Sequence, residues 1–153
     1  MKRRLLIAII GILTFNISLG QIDDNYDVLI NEAWDYYNSK EYQKSANKYK
    51  EAFDLRGRVH PNNIFNAACT NAMAGDIELS YSYLFRLEKN STIFIFIDYD
   101  KRLISERDLT ILHKDKRWQE LISLVKVKKQ QYEEKKMKIK AKMEEKKKKK
   151  TEG

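Results

Sequence analysis

Two stretches of this chain align with each other at a shift of 35 residues, and this internal repeat limits the possible folds more than any other feature. The shift pairs Ala33 with Ala68 and Ser45 with Ser80, so small residues coincide. Large residues coincide in the same way: Ile30 with Phe65, Tyr42 with Ile77 and Tyr49 with Leu84. A period in the thirties is typical of short helical units that bury their apolar faces against each other.

Each copy of the repeat has the pattern of a helical hairpin. Apolar residues recur at three- and four-residue steps on both sides of Asn38-Ser39-Lys40, and Gly57 is placed to end the second helix. Pro61 fits the first position of a third helix, because proline lacks the amide hydrogen that a helix start leaves unpaired. Gly75-Asp76 then ends this helix and caps a fourth. With one proline and five glycines, the chain is predicted to be all-α.

The repeat resembles the tetratricopeptide-repeat family. The residues that carry the resemblance are Ala33-Trp34-Asp35-Tyr36-Tyr37, Glu41 to Ala46, Tyr49 to Phe53, Asn66-Ala67-Ala68-Cys69 and Ala72-Met73-Ala74-Gly75-Asp76. The chain is also similar to a variant common in exported bacterial proteins, whose terminal helix carries residues like Asp108-Leu109, Leu112 and Arg117-Trp118. It departs from the family at Gly57, where a closing proline is usual, and at Leu87, where a small residue is usual. The resemblance implies a short α-solenoid of TPR-like hairpins with a C-terminal capping helix and a charged, helical or disordered tail.

The segment after the two hairpins is expected to cap the stack, because about three stacked units are needed to bury a continuous core. Residues 92–97 have the β-branched and aromatic composition of a strand, but a strand without a partner leaves its backbone unpaired, so a buried helix is favoured. Ser105 and Asp108 are predicted to cap a short helix through Leu112. Asp115 is predicted to cap the next helix, whose inward residues are Trp118, Leu121, Ile122 and Val125.

The first twenty residues have the pattern of an export signal. Three basic residues at positions 2–4 precede an apolar run from Leu5 to Phe15, and small residues precede Gln21. Cleavage between Gly20 and Gln21 would leave a periplasmic or secreted protein. The alternative is an uncleaved membrane anchor, although the apolar run is short against the roughly twenty residues that a span needs. The predicted divisions are therefore a signal peptide at 1–20, a TPR-like domain at 21–125 and a tail at 126–153.

Charge is concentrated in the tail. Residues 126–153 carry thirteen lysines and five acids, while the leader carries three basic residues and the rest of the chain has fourteen basic and seventeen acidic residues. The surplus of eight in the tail equals the formal net charge of +8. The basic pI therefore does not indicate a basic binding face on the folded part.

Residue patterns for catalysis or metal binding are weak throughout the sequence. Cys69 stands alone and is interpreted as a buried small residue, and His60 and His113 are interpreted as capping or surface residues. The acids Asp98, Asp100, Glu106 and Asp108 do not fit a calcium loop, since Arg102 and Leu103 occupy ligand and glycine positions. No phosphate-binding loop or nucleophile elbow is present. A non-enzymatic protein without a metal or cofactor is predicted.

The family resemblance implies that the first helix of each hairpin lines a binding groove. The positions that fall on this inner face are Asp27, Ile30, Trp34, Tyr37, Asn38, Asn62, Phe65, Cys69, Ala72 and Met73. Trp34 and Tyr37 are the expected anchors, because such aromatic side chains give a large contact area at low entropic cost. The alternative is that both only fill the space between the hairpins. The predicted function is a protein- or peptide-binding scaffold of the exported compartment.

The tail supports a second hypothesis. Its Lys126–Lys150 stretch is predicted to be a solvated helix that frays into disorder. It would tether the protein to an anionic lipid, glycan or nucleic acid, or it would only aid solubility. Nucleic acid is the least expected partner, since Tyr132 is the single aromatic residue available for base stacking.

Overall fold

The computed structural model describes residues 24–55, 58–89 and 98–151, and within these ranges the chain is helical and contains no strand. The prediction of an all-α protein is confirmed. The α-helices are α1 (24–38), α2 (Tyr42–Leu55), α3 (Pro61–Ala74), α4 (Ile77–Lys89), α5 (Tyr99–Ser105) and α6 (Lys116–Thr151), with a 3₁₀ helix at Arg107–Lys114. The expected leader at 1–20, the helix end at Gly57 and the ambiguous segment 92–97 lie outside the described residues.

Helix boundaries follow the local signals in the sequence. Pro61 is the first residue of α3, and the Nδ1 of His60 accepts a hydrogen bond from the amide of Asn62 at 3.2 Å. Asp76 caps α4 by accepting from the amide of Leu79 at 3.0 Å. Asp115 caps α6 in the same way, accepting from the amide of Arg117 at 2.9 Å. These three starts and the capping role of His60 are confirmed.

The two helical hairpins, α1–α2 and α3–α4, share the same interhelical hydrogen bond. Ser45 Oγ donates to the carbonyl oxygen of Ala33 at 2.6 Å, and Ser80 Oγ donates to that of Ala68 at 2.8 Å. All four residues are buried, and each pair is related to the other by the 35-residue shift. The small residues allow two helices to approach closely, and the hydroxyl satisfies a second lone pair of a helix carbonyl.

The hairpin turns also repeat. Lys40 and Gly75, again 35 residues apart, both have left-handed backbone conformations, with φ values of 60° and 85°. In each turn the amide of the left-handed residue donates to the carbonyl oxygen three residues earlier, which is Tyr37 in the first turn and Ala72 in the second. The amide of the following residue donates to the carbonyl oxygen five residues earlier, which is Tyr36 in the first turn and Asn71 in the second. This is the hydrogen-bond pattern of a Schellman helix end.

Helix α3 forms the centre of the packed region. It contacts α2 on one side, α4 on another and the 3₁₀ helix on a third. Nine of its residues are buried: Pro61, Ile64, Phe65, Ala67, Ala68, Cys69, Thr70, Asn71 and Ala72. Helix α1 is joined to α3 by Asn63, whose side-chain amide donates to the Tyr26 hydroxyl at 2.9 Å.

The C-terminal elements close the core over α3 and α4. The Tyr99 hydroxyl donates to the carbonyl of Leu84 at 2.8 Å, and the Tyr81 hydroxyl donates to the carbonyl of Leu112 at 3.0 Å. The predicted inward residues of α6 are confirmed: Trp118, Leu121 and Val125 are buried, and Ile122 is partly buried.

The predicted capping pair of Ser105 and Asp108 is wrong. Ser105 ends α5, and the 3₁₀ helix begins after Glu106 without a side-chain hydrogen bond to its first turn. The Asp108 carboxylate instead accepts a hydrogen bond from the Tyr37 hydroxyl on α1. A long-range partner has therefore displaced the local one.

Helix α6 passes through the predicted domain boundary at 125 without a break. Lys128 forms an ion pair with Glu88 of α4 at 3.0 Å, and Tyr132 packs against the core. From 134 to 150 every side chain is exposed, although the helix continues to Thr151. None of the helices within the described ranges combines the length and the hydropathy that crossing a bilayer requires.

Candidate functional site

The eight residues predicted to line a groove fall into different environments. Asp27, Trp34, Asn38 and Met73 are exposed, Ile30, Tyr37 and Asn62 are half-buried, and Phe65 is fully buried. Met73 lies in a shallow depression beside the α1–α2 turn, together with residues 40–44. Trp34 and Tyr37 lie at a separate cavity. The structure thus brings together only part of the predicted set.

The chain itself covers the part of α3 that carries Phe65. The Arg102 guanidinium of α5 lies 4.1 Å from the centre of the Phe65 ring. It also donates to the side-chain oxygens of Asn62, at 3.2 Å, and Asn66, at 3.5 Å. Tyr99 contacts the same ring edge-on, with centroids 6.1 Å apart. Phe65 therefore anchors α5 and has no accessible surface left for a partner.

A cavity of about 130 Å³ lies where α1, α3 and the α5–3₁₀ segment meet. We call it the Trp34 cavity; its lining residues are Trp34, Tyr37, Tyr49, Asn66, Cys69, Thr70, Arg102, Glu106 and Asp108. Trp34 is 50% exposed, so the cavity is next to solvent, whereas Thr70 and Tyr49 are almost completely buried.

Aromatic contacts hold one wall of the Trp34 cavity in place. The rings of Trp34 and Tyr37 stack with centroids 5.6 Å apart and an interplanar angle of 11°. Tyr42 contacts Tyr37 edge-on at 5.6 Å, and Asp108 accepts the Tyr37 hydroxyl hydrogen. Offset stacking and edge contacts of this kind are favourable arrangements for aromatic rings. The wall is therefore ordered before any ligand binds.

The Trp34 cavity disfavours negative charge on its titratable side chains. Burial raises the pKa of the Cys69 thiol well above its usual value, and the carboxylates of Glu106 and Asp108 raise it further. Burial and the hydrogen bond to Asp108 raise the pKa of Tyr37 in the same way. Burial raises the pKa of Tyr49 to about 12. The ionised, negatively charged forms of these three side chains are therefore disfavoured in the cavity.

Thr70 has an unsatisfied hydroxyl in this cavity. Its side chain is fully buried, and its Oγ1 has no hydrogen-bond partner among the described residues. A buried hydroxyl without a partner is costly and is uncommon in native proteins. Because Thr70 lines the cavity, its hydroxyl is an unused hydrogen-bonding group of the cavity wall.

The other candidate groups of the sequence have structural partners. His113 packs on Trp118 with ring centroids 4.3 Å apart, and Asp98 pairs with Lys101 at 3.1 Å. Within the part of the chain that the structure describes, no three His, Cys, Asp or Glu side chains are grouped closely enough to hold a metal ion.

Sequence reasoning missed six residues of the cavity: Tyr49, Asn66, Thr70, Arg102, Glu106 and Asp108. The density of acids between residues 98 and 108 is the available signal in the sequence, but it does not indicate which distant residues these acids contact. Their joint position depends on how the 3₁₀ helix packs against α3, which is a long-range contact. Comparison with protein-family models, curated proteins and solved structures finds no match to this chain.

Proposed function

We propose that this chain is a non-enzymatic module that binds a peptide or protein segment at the Trp34 cavity. The observation that carries the proposal is the half-exposed Trp34, stacked on Tyr37 beside a preformed cavity with polar groups. An aromatic anchor next to a concave site is typical of binding hot spots. The site differs from the open groove of the sequence prediction, because α5 and the 3₁₀ helix form its second wall.

The repeated hydrogen bonds of Ser45 and Ser80 and the matched turns support a TPR-like solenoid as the scaffold. In this arrangement α1 is the first helix of the first described hairpin, and its Trp34 side chain is half exposed. An exported location, expected from residues 1–20, belongs to the same proposal.

Cys69 supports binding rather than nucleophilic chemistry. Its side chain lines the cavity but is buried, and its raised pKa keeps the thiol protonated at neutral pH. Since the thiolate is the reactive form of cysteine, a thiol in this environment is a poor nucleophile.

The direct test is selection of peptides from a displayed random library on the full chain, followed by affinity measurements with single variants. Trp34→Ala is expected to lower the affinity for the selected peptides at least about tenfold, because it removes an aromatic hot spot. Val28→Ala removes another exposed side chain of α1 and is the matched control, since Val28 does not line the cavity. Circular dichroism of each variant checks that the helices are retained.

Equal affinities of the original and Trp34→Ala proteins would contradict the proposal. So would a loss of affinity of the same size in Val28→Ala, because the effect would then not depend on the cavity.

The exposed part of α6 favours a second candidate function, electrostatic attachment to an anionic surface. Residues 134–150 carry ten lysines and three glutamates, and all of these side chains are exposed. A lysine near an anionic membrane surface contributes about 1 kcal/mol at moderate salt.

Replacement of Lys146 to Lys150 by glutamine in the full chain tests this second function. Cosedimentation with phosphatidylserine vesicles is expected to fall at least about a hundredfold in apparent affinity, and binding of the original chain is expected to weaken with added salt. Unchanged cosedimentation of the glutamine variant would exclude the tail as the attachment site.

A further inference from the structure

The Trp34 cavity holds more negative than positive charge. Glu106 and Asp108 both line it, and neither forms an ion pair with another described residue, although Asp108 accepts the Tyr37 hydroxyl hydrogen. Arg102 contributes the one positive charge of the lining, so the sum of the charged groups is −1. Burial is the main cause of the raised pKa of Cys69, and the carboxylates of Glu106 and Asp108 raise it further. A cationic ligand is therefore favoured over an anionic one.

Arg102 leaves the two carboxylates available. Its guanidinium lies over the Phe65 ring and donates to Asn62 and Asn66, all three on α3. These hydrogen bonds use two of the five N–H donors of the guanidinium, and neither goes to Glu106 or Asp108. The carboxylates consequently keep their acceptor positions for another donor.

Thr70 is an independent indication of a ligand. It is fully buried at the cavity, and its hydroxyl has no partner among the described residues. A ligand N–H group that donates to Oγ1 would satisfy it, and this gain adds to the charge attraction of the carboxylates.

The size and the walls of the cavity match a lysine side chain. Its volume of about 130 Å³ is close to the ~150 Å³ of an apolar cavity that holds benzene, so a group of five or six heavy atoms fits. Trp34 and Tyr37 offer apolar faces for methylene groups and a favourable π surface for a cation. An ammonium has three N–H donors, and Glu106, Asp108 and Thr70 are three residues of the lining whose side chains can accept from them.

We propose that the Trp34 cavity accepts the side-chain ammonium of a lysine in the bound peptide, paired with Glu106 and Asp108 and hydrogen-bonded to Thr70. This lysine specificity rests on the peptide-binding function proposed above, and it names the chemistry that the partner must supply. A lysine of a protein and a free alkylammonium share this chemistry, and the test separates them.

The first experiment measures the cavity directly in the full chain by NMR of the Trp34 indole N–H group. The probes are lysine and norleucine, each blocked as an acetyl methylamide, so that they differ in the ammonium group. We expect the lysine probe to shift the Trp34 signal and norleucine to leave it unchanged. The buried Trp118 indole is the internal control, since it lies on α6 outside the cavity. Butylammonium measures what a free alkylammonium contributes without the peptide backbone.

Two variants assign the contacts. Glu106→Gln is expected to lower the affinity for the lysine probe about tenfold, because it removes one charge partner of the ammonium. Thr70→Val removes the hydroxyl while keeping the shape, and we expect a loss of affinity of about fivefold without loss of folding, since no described residue forms a hydrogen bond with this hydroxyl. Glu120→Gln neutralises an exposed glutamate of α6 and is the matched control.

Equal binding of lysine and norleucine, or an unchanged affinity of the lysine probe in Glu106→Gln, would overturn the lysine assignment. Tighter binding of a blocked arginine or glutamate would also overturn it. The two proposals fail separately. If selected peptides depend on Trp34 but tolerate replacement of their lysines by norleucine, the peptide-binding function stands and the lysine assignment is wrong. If no peptide binds, the function fails, and the blocked probes still decide what the cavity accepts.

Discussion

The two helical hairpins have the same local construction but different surroundings. Each has a serine that donates to an alanine carbonyl of its partner helix, and each turns through a left-handed residue. Yet Trp34 in the first hairpin is 50% exposed, whereas Cys69, at the same repeat position in the second, is 5% exposed. The repeat therefore determines the geometry inside a hairpin, while the position of the hairpin in the stack determines which of its faces remains accessible.

The difference comes from what packs on the first helix of each hairpin. Helix α3 is packed against α2, α4 and the 3₁₀ helix, and Arg102 lies over its Phe65 ring. On helix α1, Trp34 and Val28 are both about half exposed. Residues that occupy equivalent repeat positions thus serve the core in one hairpin and are available for binding in the other.

The strongest test of this comparison truncates one repeat position in both hairpins. Phe65→Ala is expected to lower the free energy of unfolding by about 3–5 kcal/mol, because Phe65 is fully buried. Ile30→Ala, at the equivalent position of α1, is expected to cost about 1 kcal/mol, because Ile30 is only half-buried and loses less apolar contact. Urea unfolding followed by circular dichroism gives both values. Equal losses would mean that the two hairpins are buried to the same degree.

Substitutions at the left-handed turn position are expected to change the free energy of unfolding by smaller amounts, with opposite signs in the two hairpins. Lys40→Gly is expected to raise the free energy of unfolding by about 0.5–1 kcal/mol, because a non-glycine residue at φ 60° carries a steric cost that glycine avoids. Gly75→Ala is expected to lower it by about 1 kcal/mol for the same reason. A built Cβ at Gly75 meets nothing within 4 Å, so the backbone conformation accounts for the cost. Thermal unfolding measures both; a destabilised Lys40→Gly protein would contradict the shared turn geometry.

The smallest effect concerns the ion-pair cluster that joins the second hairpin to α6. Arg117 pairs with Asp115 at 2.6 Å and with Glu78 of α4 at 2.8 Å. The side-chain hydrogen bond from Arg117 lowers the pKa of Asp115 below its ordinary 3.8. Because the folded state then binds fewer protons, this stabilisation is present above about pH 3.8 and is lost as the pH falls through the folded pKa.

Asp115→Asn is therefore expected to be less stable than the original chain at pH 7, with a difference that stays constant down to about pH 5 and closes below pH 3.8. Urea unfolding at a series of pH values measures this difference. A gap that persists undiminished at pH 2 would show that Asp115 acts as a helix cap without its charge.

Much of the fold follows from local signals in the sequence. Pro61, Gly75, Asp76 and Asp115 set helix ends through backbone restrictions and hydrogen bonds to the nearest turn, so neighbouring residues suffice to predict them. The apolar period likewise predicted which side of α6 is buried at Trp118 and Val125.

The candidate site was less accessible to sequence reasoning, because its residues come from three distant parts of the chain. Asp108 has the right spacing from Ser105 for a local cap, but the Tyr37 hydroxyl, 71 residues away, is its hydrogen-bond partner. Phe65 fits a groove position by repeat register, yet Arg102 lies on it. Both contacts depend on how the segment after the repeats packs against the two hairpins. The apolar periodicity of the sequence does not predict such long-range packing.

The length of α6 has a geometric consequence for any attachment through its lysines. Residues 134–151 continue the helix beyond the last packed contacts, and at about 1.5 Å per residue they span about 27 Å. An anionic surface that held the final lysines would keep the helical body at a distance set by this arm. Trp34 would then stay clear of the surface and open to a partner arriving from solution.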